Sequence, residues 1–275
     1  MHVLSRFPIK LIIQTGVLAM LVALLQSCAV IGSRVDGPPA KPVDISSIHD
    51  PVPRHEPKSR YGNPESYVVN GEKYHVLNNS TGFVERGIAS WYGMKFQGRR
   101  TSSGETYNMY AMTAAHRILP LPTFVEVTNL RNGNSVIVRV NDRGPFHVNR
   151  VIDLSYVAAL KLGIVEEGTG LVEIRAIDPG KSSTQHMQVS SGVIKEGKGF
   201  YLQVGSFSSY DNALKLRSRL EGLADNLIHI SEVTIRKRKL YRVRFGPITD
   251  VQAADRIVTD LNHLGINENH ILIDL

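Results

Sequence analysis

Between residues 87 and 178, apolar and polar side chains alternate over short runs rich in β-branched residues, a pattern typical of half-buried strands. The runs cover residues 88–92, 124–130, 135–140, 151–154 and 171–177. Asn132-Gly133 predicts a hairpin between the second and third runs. One helix is predicted over 155–162, with Ser155 as its N-cap and Gly163 at its end. Short strands at close intervals with one helix predict a small, mostly antiparallel barrel.

From residue 200 the hydrophobic period changes. Strands are predicted over 201–207, 230–237, 240–245 and 271–275, and helices over 210–220 and 251–264. The second helix carries one apolar stripe, formed by Val251, Ala254, Ile257, Val258 and Leu261. The order β-α-β-β-α-β is that of a split βαβ sandwich.

The chain begins with a segment that predicts export. Arg6 and Lys10 precede a largely apolar run, 11–25, that is too short for a comfortable membrane span, so residues 1–27 are predicted to be a signal peptide. The run ends in L-Q-S-C, which is similar to a bacterial lipobox, so we expect Cys28 to be lipidated and to become the mature N-terminus. An ordinary signal peptide with an incidental cysteine stays open as the alternative.

Two segments are predicted to connect domains. Residues 28–65 hold seven of the 13 prolines and bury too little apolar surface to offset their ordering entropy, so we expect a disordered tether. Residues 181–198 are rich in glycine, serine and lysine and predict a linker. Residues 66–180 then form the barrel domain, whose first two strands flank Asn70-Gly71. Residues 199–275 form the C-terminal domain.

Charge and cysteine content exclude several classes of function. The net charge of +7 is spread along the chain and forms no basic patch of the kind that binds nucleic acid. The single cysteine excludes an intrachain disulfide. The sequence contains neither a cysteine pair nor a histidine pair at i, i+4 spacing, and no glycine-rich phosphate loop, so we predict no metal and no cofactor.

The stretch V-R-V-N-D-R-G-P-F, residues 138–146, is the first candidate for chemistry. It begins as a strand and stops abruptly, because Gly144 can adopt positive φ and Pro145 has no N–H for a ladder. Asp142 therefore lies where a strand opens into a tight loop, which suits acid–base chemistry. An aspartate that accepts backbone N–H groups in a turn is the alternative.

Three more candidates precede Asp142. Glu105 ends a polar loop over 98–105, His116 lies in the small-residue run 112–116, and Trp91 ends a strand where its ring could stack on a sugar. Each has a structural alternative: a solvated carboxylate, a hydrogen-bonded histidine and a core aromatic. Two carboxylates and a histidine on loops of a small barrel favour acid–base cleavage of a glycosidic bond.

At this point a family resemblance is plain. Residues 87–178 contain the motifs G-I-A-S-W-Y-G, G-R-R-T-S-S-G-E, T-A-A-H, N-D-R-G-P-F and R-V-I-D-L-S and resemble the double-psi β-barrel of the rare lipoprotein A family. Residues 200–275, with Y-L-Q-V-G-S-F and Y-R-V-R-F-G-P, resemble a SPOR domain. The resemblance implies a mostly β plus α+β chain: a six-stranded double-psi β-barrel followed by a small βαββαβ domain.

The resemblance also implies a function. It implies an endolytic lytic transglycosylase that cleaves peptidoglycan strands lacking stem peptides, at the division septum, and leaves 1,6-anhydro ends. The family's functional residues match Asp142, Glu105 and His116. We expect Asp142 to be the acid–base residue, Glu105 to share the proton or stabilise developing positive charge, and His116 to orient the carboxylate or the sugar. Trp91 and Arg143 are expected to contact the glycan.

In the SPOR-like domain, alternation places Leu202 and Val204 on one face and Gln203 on the other. The family's glycan-binding positions match Gln203, Ser206 and Arg242. A solvated sheet face without a ligand is the alternative.

Expected partners and location follow from the same resemblance. The lipid anchor would hold the chain at the outer membrane, facing the periplasm, because Ala29 replaces the aspartate that commonly retains lipoproteins at the inner membrane. Enrichment at the septum would make divisome proteins partners. A non-catalytic lipoprotein that grips or loosens the wall stays open as the second function class. An RNA-binding βαββαβ sheet is disfavoured by the signal sequence and by the lack of exposed aromatics at its central strands.

Overall fold

The computed structural model describes residues 36–147, 149–180, 200–223, 227–235, 238–248, 251–266 and 270–272. The predicted signal peptide, the lipidation site Cys28 and the linker 181–198 lie outside these residues. Within the described part of the chain, no helix is both long and apolar enough to cross a membrane.

The elements follow the predicted order closely. In chain order they are β1 (Ser66–Val69), β2 (Glu72–His75), β3 (Val84–Tyr92), β4 (Thr113–His116), β5 (Thr123–Asn129), β6 (Ser135–Asp142), β7 (Arg150–Ser155), α1 (Tyr156–Leu162), β8 (Thr169–Ala176), β9 (Phe200–Phe207), α2 (Tyr210–Arg219), β10 (Ile228–Ile235), β11 (Arg238–Ile248), α3 (Val251–His263) and β12 (His270–Leu272). Strand β4 is the one element the pattern does not predict, because T-A-A-H is short and has no clear alternation.

Strands β3 to β8 close into a six-stranded barrel in the order β3-β7-β4-β6-β5-β8. The β3–β7 and β4–β6 pairs are parallel and the remaining neighbours are antiparallel. Every second residue of β6 points inwards, and Val136, Val138 and Val140 are almost fully buried in the core. The alternation seen in the sequence is therefore the alternation between the barrel interior and its outer face, and the predicted barrel is confirmed.

Local sequence signals set the turns and the helix ends. Asn70 and Gly71 have φ of 51° and 82°, the paired positive values of the tight turn between β1 and β2. Helix α1 begins after Ser155, whose hydroxyl accepts the N–H of Ala158, and ends at Gly163 in the left-handed region.

Residues 36–65 differ from the expected disordered tether. They contain no helix or strand, but they lie along the barrel. Asp36 accepts the backbone N–H groups of Gly93 and Lys95, and Asp50 accepts that of Ile137 at 2.6 Å. Asp50 also contacts Lys161 at 2.5 Å. Prolines exclude regular structure here without excluding contact, because single carboxylates bind N–H groups that the barrel leaves unpaired.

The C-terminal domain has the predicted βαββαβ order. Its antiparallel sheet runs β10-β11-β9-β12. Apolar residues on one face, including Leu202, Val243 and Phe245, are fully buried with the apolar stripe of α3 and Ala213 of α2. The helices therefore cover one face of the sheet and leave the other uncovered, which confirms the predicted sandwich.

Candidate active site

Asp142 is the last residue of β6 and is held by the polar loop that precedes Glu105. Its Oδ1 accepts the backbone N–H and the hydroxyl of Ser102, each at 2.7 Å, and the N–H of Arg143 at 2.8 Å. Within the described residues no hydrogen bond to Oδ2 is found. One carboxylate oxygen thus fixes the side chain while the other is left for a substrate proton.

Glu105 contacts β6, the strand that ends in Asp142, and follows Ser102 by three residues in the same loop. Both of its carboxylate oxygens accept Arg139 Nη1, at 2.8 and 2.9 Å, and Oε2 accepts the amide of Asn141 at 2.8 Å. Burial raises the pKa of Glu105, but the hydrogen bonds from Asn141 and Arg139 and the charge of Arg139 outweigh it, so the pKa lies below its ordinary value. Glu105 is therefore an ionised carboxylate at neutral pH, suited to facing positive charge and not to donating a proton.

His116 ends β4 with only 1% of its surface exposed. Its Nδ1 accepts the N–H groups of Ile118 and Leu119, so its proton lies on Nε2, which is 2.9 Å from Glu85 Oε2. Burial lowers the pKa of His116, and the neighbouring Glu85 opposes this only in part. No hydrogen bond joins His116 to Asp142 in the described part of the chain, so its predicted orienting role stays a prediction, and its contacts give it a structural one.

Arg143 follows Asp142 but turns back into the protein. Its guanidinium donates to the carbonyl oxygens of Gly62, His116 and Leu119, at 2.8, 3.1 and 2.5 Å. It also lies over the ring of Tyr67, with 5.9 Å to the centroid. Its contact with glycan stays a prediction, whereas the geometry shows that it braces the loops beside the site.

Trp91 packs partly buried against the barrel core. Its ring meets Tyr156 edge-to-face, with centroids 5.5 Å apart. Stacking of a sugar on Trp91 stays a prediction, and the contacts observed are those of a core aromatic.

Sequence reasoning missed three side chains that shape this site: Ser102, Asn141 and Asp153. Ser102 is hidden in a run of small polar residues, where nothing local marks it as a partner of Asp142. Asp153 carries a signal that could have been used, since it is a lone carboxylate in the otherwise apolar strand V-I-D-L. Within the described residues no group of three or more potential metal ligands is found.

The predicted SPOR residues lie on the uncovered face of the C-terminal sheet. Arg242 pairs directly with Ser206 on β9 and with Ser231 on β10. Gln203 pairs with Arg244 after a bulge in the same strand pair. The structure therefore brings Gln203, Ser206 and Arg242 onto two adjacent rows of one open face. Alternation alone predicts this for Gln203 and Arg242, whereas Ser206 joins them because the bulge between Gln203 and Gly205 shifts the register by one residue. Their binding of glycan stays a prediction.

Comparisons with known proteins agree with this architecture. A family model described as lytic transglycolase matches residues 84–175, and a model of the SPOR domain matches residues 196–271. The endolytic peptidoglycan transglycosylase RlpA of Pseudomonas aeruginosa is 39% identical over 272 residues, covering 80% of this chain and 79% of that one. The protein of the same name from Vibrio cholerae is 38% identical over 256 residues and covers 92% and 94% of the two chains.

A solved SPOR domain is similar to the C-terminal part of the chain. The SPOR domain of Pseudomonas aeruginosa RlpA is 30% identical, covers 28% of this chain and 100% of its own, and has a TM-score of 0.26. The two relatives named above are 38–39% identical to this chain and cover 80–92% of it. The chain belongs to the rare lipoprotein A family.

Proposed function

We propose that the chain is an endolytic lytic transglycosylase that cleaves peptidoglycan glycan strands lacking stem peptides. The observation that carries the proposal is Asp142, whose Oδ1 is bound by three donors while Oδ2 receives none from the described residues. The family membership and the names of the relatives support a lyase acting on peptidoglycan.

Lytic cleavage requires two proton movements and no enzyme nucleophile. The C6 hydroxyl of the sugar attacks its own C1 and loses a proton, while the glycosidic oxygen leaves and gains one. General acid–base groups accelerate such transfers by about 10² to 10⁴-fold. Asp142 is the residue placed to move a proton, because it lies at a rigid strand end and presents one unbound oxygen.

Glu105 supports the positive charge that develops at C1 as the bond breaks. It is ionised, and Arg139 and Asn141 hold its position. A fixed negative charge aimed at the place where positive charge forms stabilises the transition state without moving itself. Arg139 neutralises part of the negative charge of Glu105, so Glu105 contributes less to the rate than Asp142.

The C-terminal domain supplies glycan binding in this proposal. Its open face offers amide, hydroxyl and guanidinium donors from Gln203, Ser206, Arg242 and Arg244. Such donors match the hydroxyl and N-acetyl oxygens of a peptide-free strand. Binding to such strands would concentrate the enzyme at the septum, where divisome proteins are its expected neighbours.

Location belongs to the proposal as well. We propose a lipid anchor at Cys28 that holds the mature chain at the outer membrane facing the periplasm. Replacement Cys28→Ala should move the protein from the membrane to the soluble fraction. Membrane fractionation that the substitution leaves unchanged would refute the anchor.

The activity is tested by digestion of purified peptide-free glycan strands with mass detection of 1,6-anhydro ends. Wild-type protein should form them, and Asp142→Asn, which keeps the size of the side chain, should lose at least about a hundredfold of the rate. Matched melting curves exclude misfolding as the cause. A protein that only binds the wall would form no anhydro ends, and Asp142→Asn would then change affinity at most.

A further inference from the structure

A second carboxyl group lies on the same row of the barrel as Asp142. In the parallel β4–β6 pair, Ala115 is the partner of Asp142, and in the antiparallel β4–β7 pair the same Ala115 is the partner of Asp153. Residues that pair directly across strands share a face of the sheet. Two strand spacings separate the two aspartates, which places their Cα atoms about 10 Å apart.

The residue between them is small. Ala115 is 4% exposed and presents only a methyl group. The loop after Asp142 passes over this row, because a Cβ at Gly144 would lie 3.8 Å from Ala115 Cβ and 3.9 Å from Asp153 Oδ2. The two carboxyl groups thus lie on either side of the Ala115 methyl group. Asp142 and Asp153 are both partly exposed, so a ligand can reach both.

Asp153 is set up differently from Asp142. The hydroxyl of Ser90 contacts its Oδ1 at very short range, and Ser90 in turn accepts Arg150 Nη1 at 3.2 Å. Burial raises the pKa of Asp153 and Asp142 raises it further, whereas Ser90, Arg150 and His147 act in the opposite direction without cancelling the rise. The surroundings of Asp153 therefore keep it protonated to higher pH than an ordinary aspartate.

We propose that Asp153 is the general acid of the cleavage and that Asp142 is the base that works opposite it across Ala115. The inference rests on the proposed function and divides its two proton movements between two residues. Asp153 donates its proton to the glycosidic oxygen as the C1–O bond breaks. Asp142 takes the proton of the C6 hydroxyl as the new C1–O6 bond forms. One proton is lost and one gained by the sugar, and no water is consumed.

After the reaction Asp153 is ionised and Asp142 is protonated. Transfer of a proton between them, directly or through solvent, restores the starting state. A carboxyl whose environment raises its pKa can serve as the acid in a site where a neighbouring carboxyl serves as the base.

The substitution Asp153→Asn tests the assignment. It keeps the shape of the side chain and an oxygen that can accept the Ser90 hydroxyl, but it removes the acidic carboxyl proton. On peptide-free strands we expect at least about a hundredfold loss of rate. On a muramoyl oligosaccharide with a nitrophenol leaving group, which departs without protonation, the loss should be less than about tenfold. Asp142→Asn should be impaired on both substrates, because the C6 hydroxyl still needs a base.

A second variant tests the assignment without replacing Asp153, so the result does not depend on whether Asp153→Asn folds. Ser90→Ala removes a bond that lowers the pKa of Asp153, so the fall of the rate at high pH should move to higher pH. An active wild type with an equally active Asp153→Asn, or equal losses on the two substrates, overturns the acid assignment alone. A wild type that forms no anhydro ends overturns the proposed function, and this inference with it.

Discussion

Ser102 donates both its backbone N–H and its hydroxyl to the same oxygen of Asp142, Oδ1, with both distances at 2.7 Å. The two residues are 40 positions apart in the chain. The loop before Glu105 therefore acts as a clamp that fixes the Asp142 carboxyl through one of its oxygens.

Loss of the Ser102 hydroxyl should loosen this clamp. Hydrogen bonds to charged groups contribute about 1.5–3 kcal/mol, so we expect Ser102→Ala to lower the cleavage rate about tenfold or more. The backbone N–H remains, so the loss should be smaller than that of Asp142→Asn. The measurement is the initial rate of anhydro-end formation.

Ser135→Ala is the matched control, because its hydroxyl contacts Thr128 at 3.2 Å near the other end of β6. It should leave the rate unchanged. Equal rates for Ser102→Ala and wild type would show that the clamp does not limit catalysis.

Glu105→Gln should cost less activity than Asp142→Asn, because an ionised carboxylate supports charge but donates no proton. The folded pKa of Glu105 lies below its ordinary value of 4.5, so its contribution to stability is complete above that pH and is lost as pH falls through the folded pKa. The difference in melting temperature between wild type and Glu105→Gln should therefore be complete at pH 7 and shrink as the pH falls below 4.5.

The pair with Arg139 can be isolated by a double-mutant cycle. Arg139→Gln and Glu105→Gln each remove the contact between these two side chains. The loss of unfolding free energy in the double variant should therefore be smaller than the sum of the losses in the two single variants. The effect of Glu105→Gln on cleavage separates two roles. If it abolishes cleavage as fully as Asp142→Asn, then Glu105 and Asp142 share the proton and act as a unit.

His116 should act on stability. Its folded pKa lies below the ordinary value of 6.5, so its unfolded form binds the proton first and the free energy of unfolding falls as pH drops below about 6.5. His116→Ala should remove this part of the pH dependence and lower stability by about 2 kcal/mol or more, since it leaves a cavity and removes the hydrogen bond to Glu85.

Denaturant unfolding at pH 7.5 and pH 5.5 measures both effects. Replacement of the exposed His75 on β2 by alanine is the control and should keep the wild-type slope, because His116 is still present. A His116→Ala protein that is stable but loses cleavage as completely as Asp142→Asn would restore the predicted catalytic role.

Glycan binding by the open sheet face should depend on its cationic and amide groups. With Asp142→Asn as background, to prevent digestion, the added pair Gln203→Glu and Arg242→Glu should reduce pull-down on peptide-free strands by about tenfold or more. Lys215→Glu reverses one charge on α2, away from that face, and matches the charge change of Arg242→Glu alone. Equal pull-down by the single variants Arg242→Glu and Lys215→Glu would show that the sheet face is not the binding surface.

The sequence by itself determined the parts of the fold that depend on near neighbours. The turn at Asn70-Gly71, the caps Ser155 and Gly163 and the alternation along β6 each involve groups within a few residues, so the local pattern contains the whole cause. The shared face of Gln203 and Arg242 follows from the same alternation once the helices cover the apolar face, whereas Ser206 reaches that face only through the bulge in β9. The strand position of Asp142 could be predicted for this reason.

Tertiary structure alone decided what each candidate side chain contacts. Ser102 meets Asp142 across 40 residues, and Ala115 brings Asp142 and Asp153 into one row only because β4 lies between β6 and β7. The same closure buries His116 against Glu85 and gives residues 36–65 partners on the barrel. Such contacts depend on which strands become neighbours when the barrel closes, and period-two alternation is the same for every order of strands, so it specifies a face without specifying a partner.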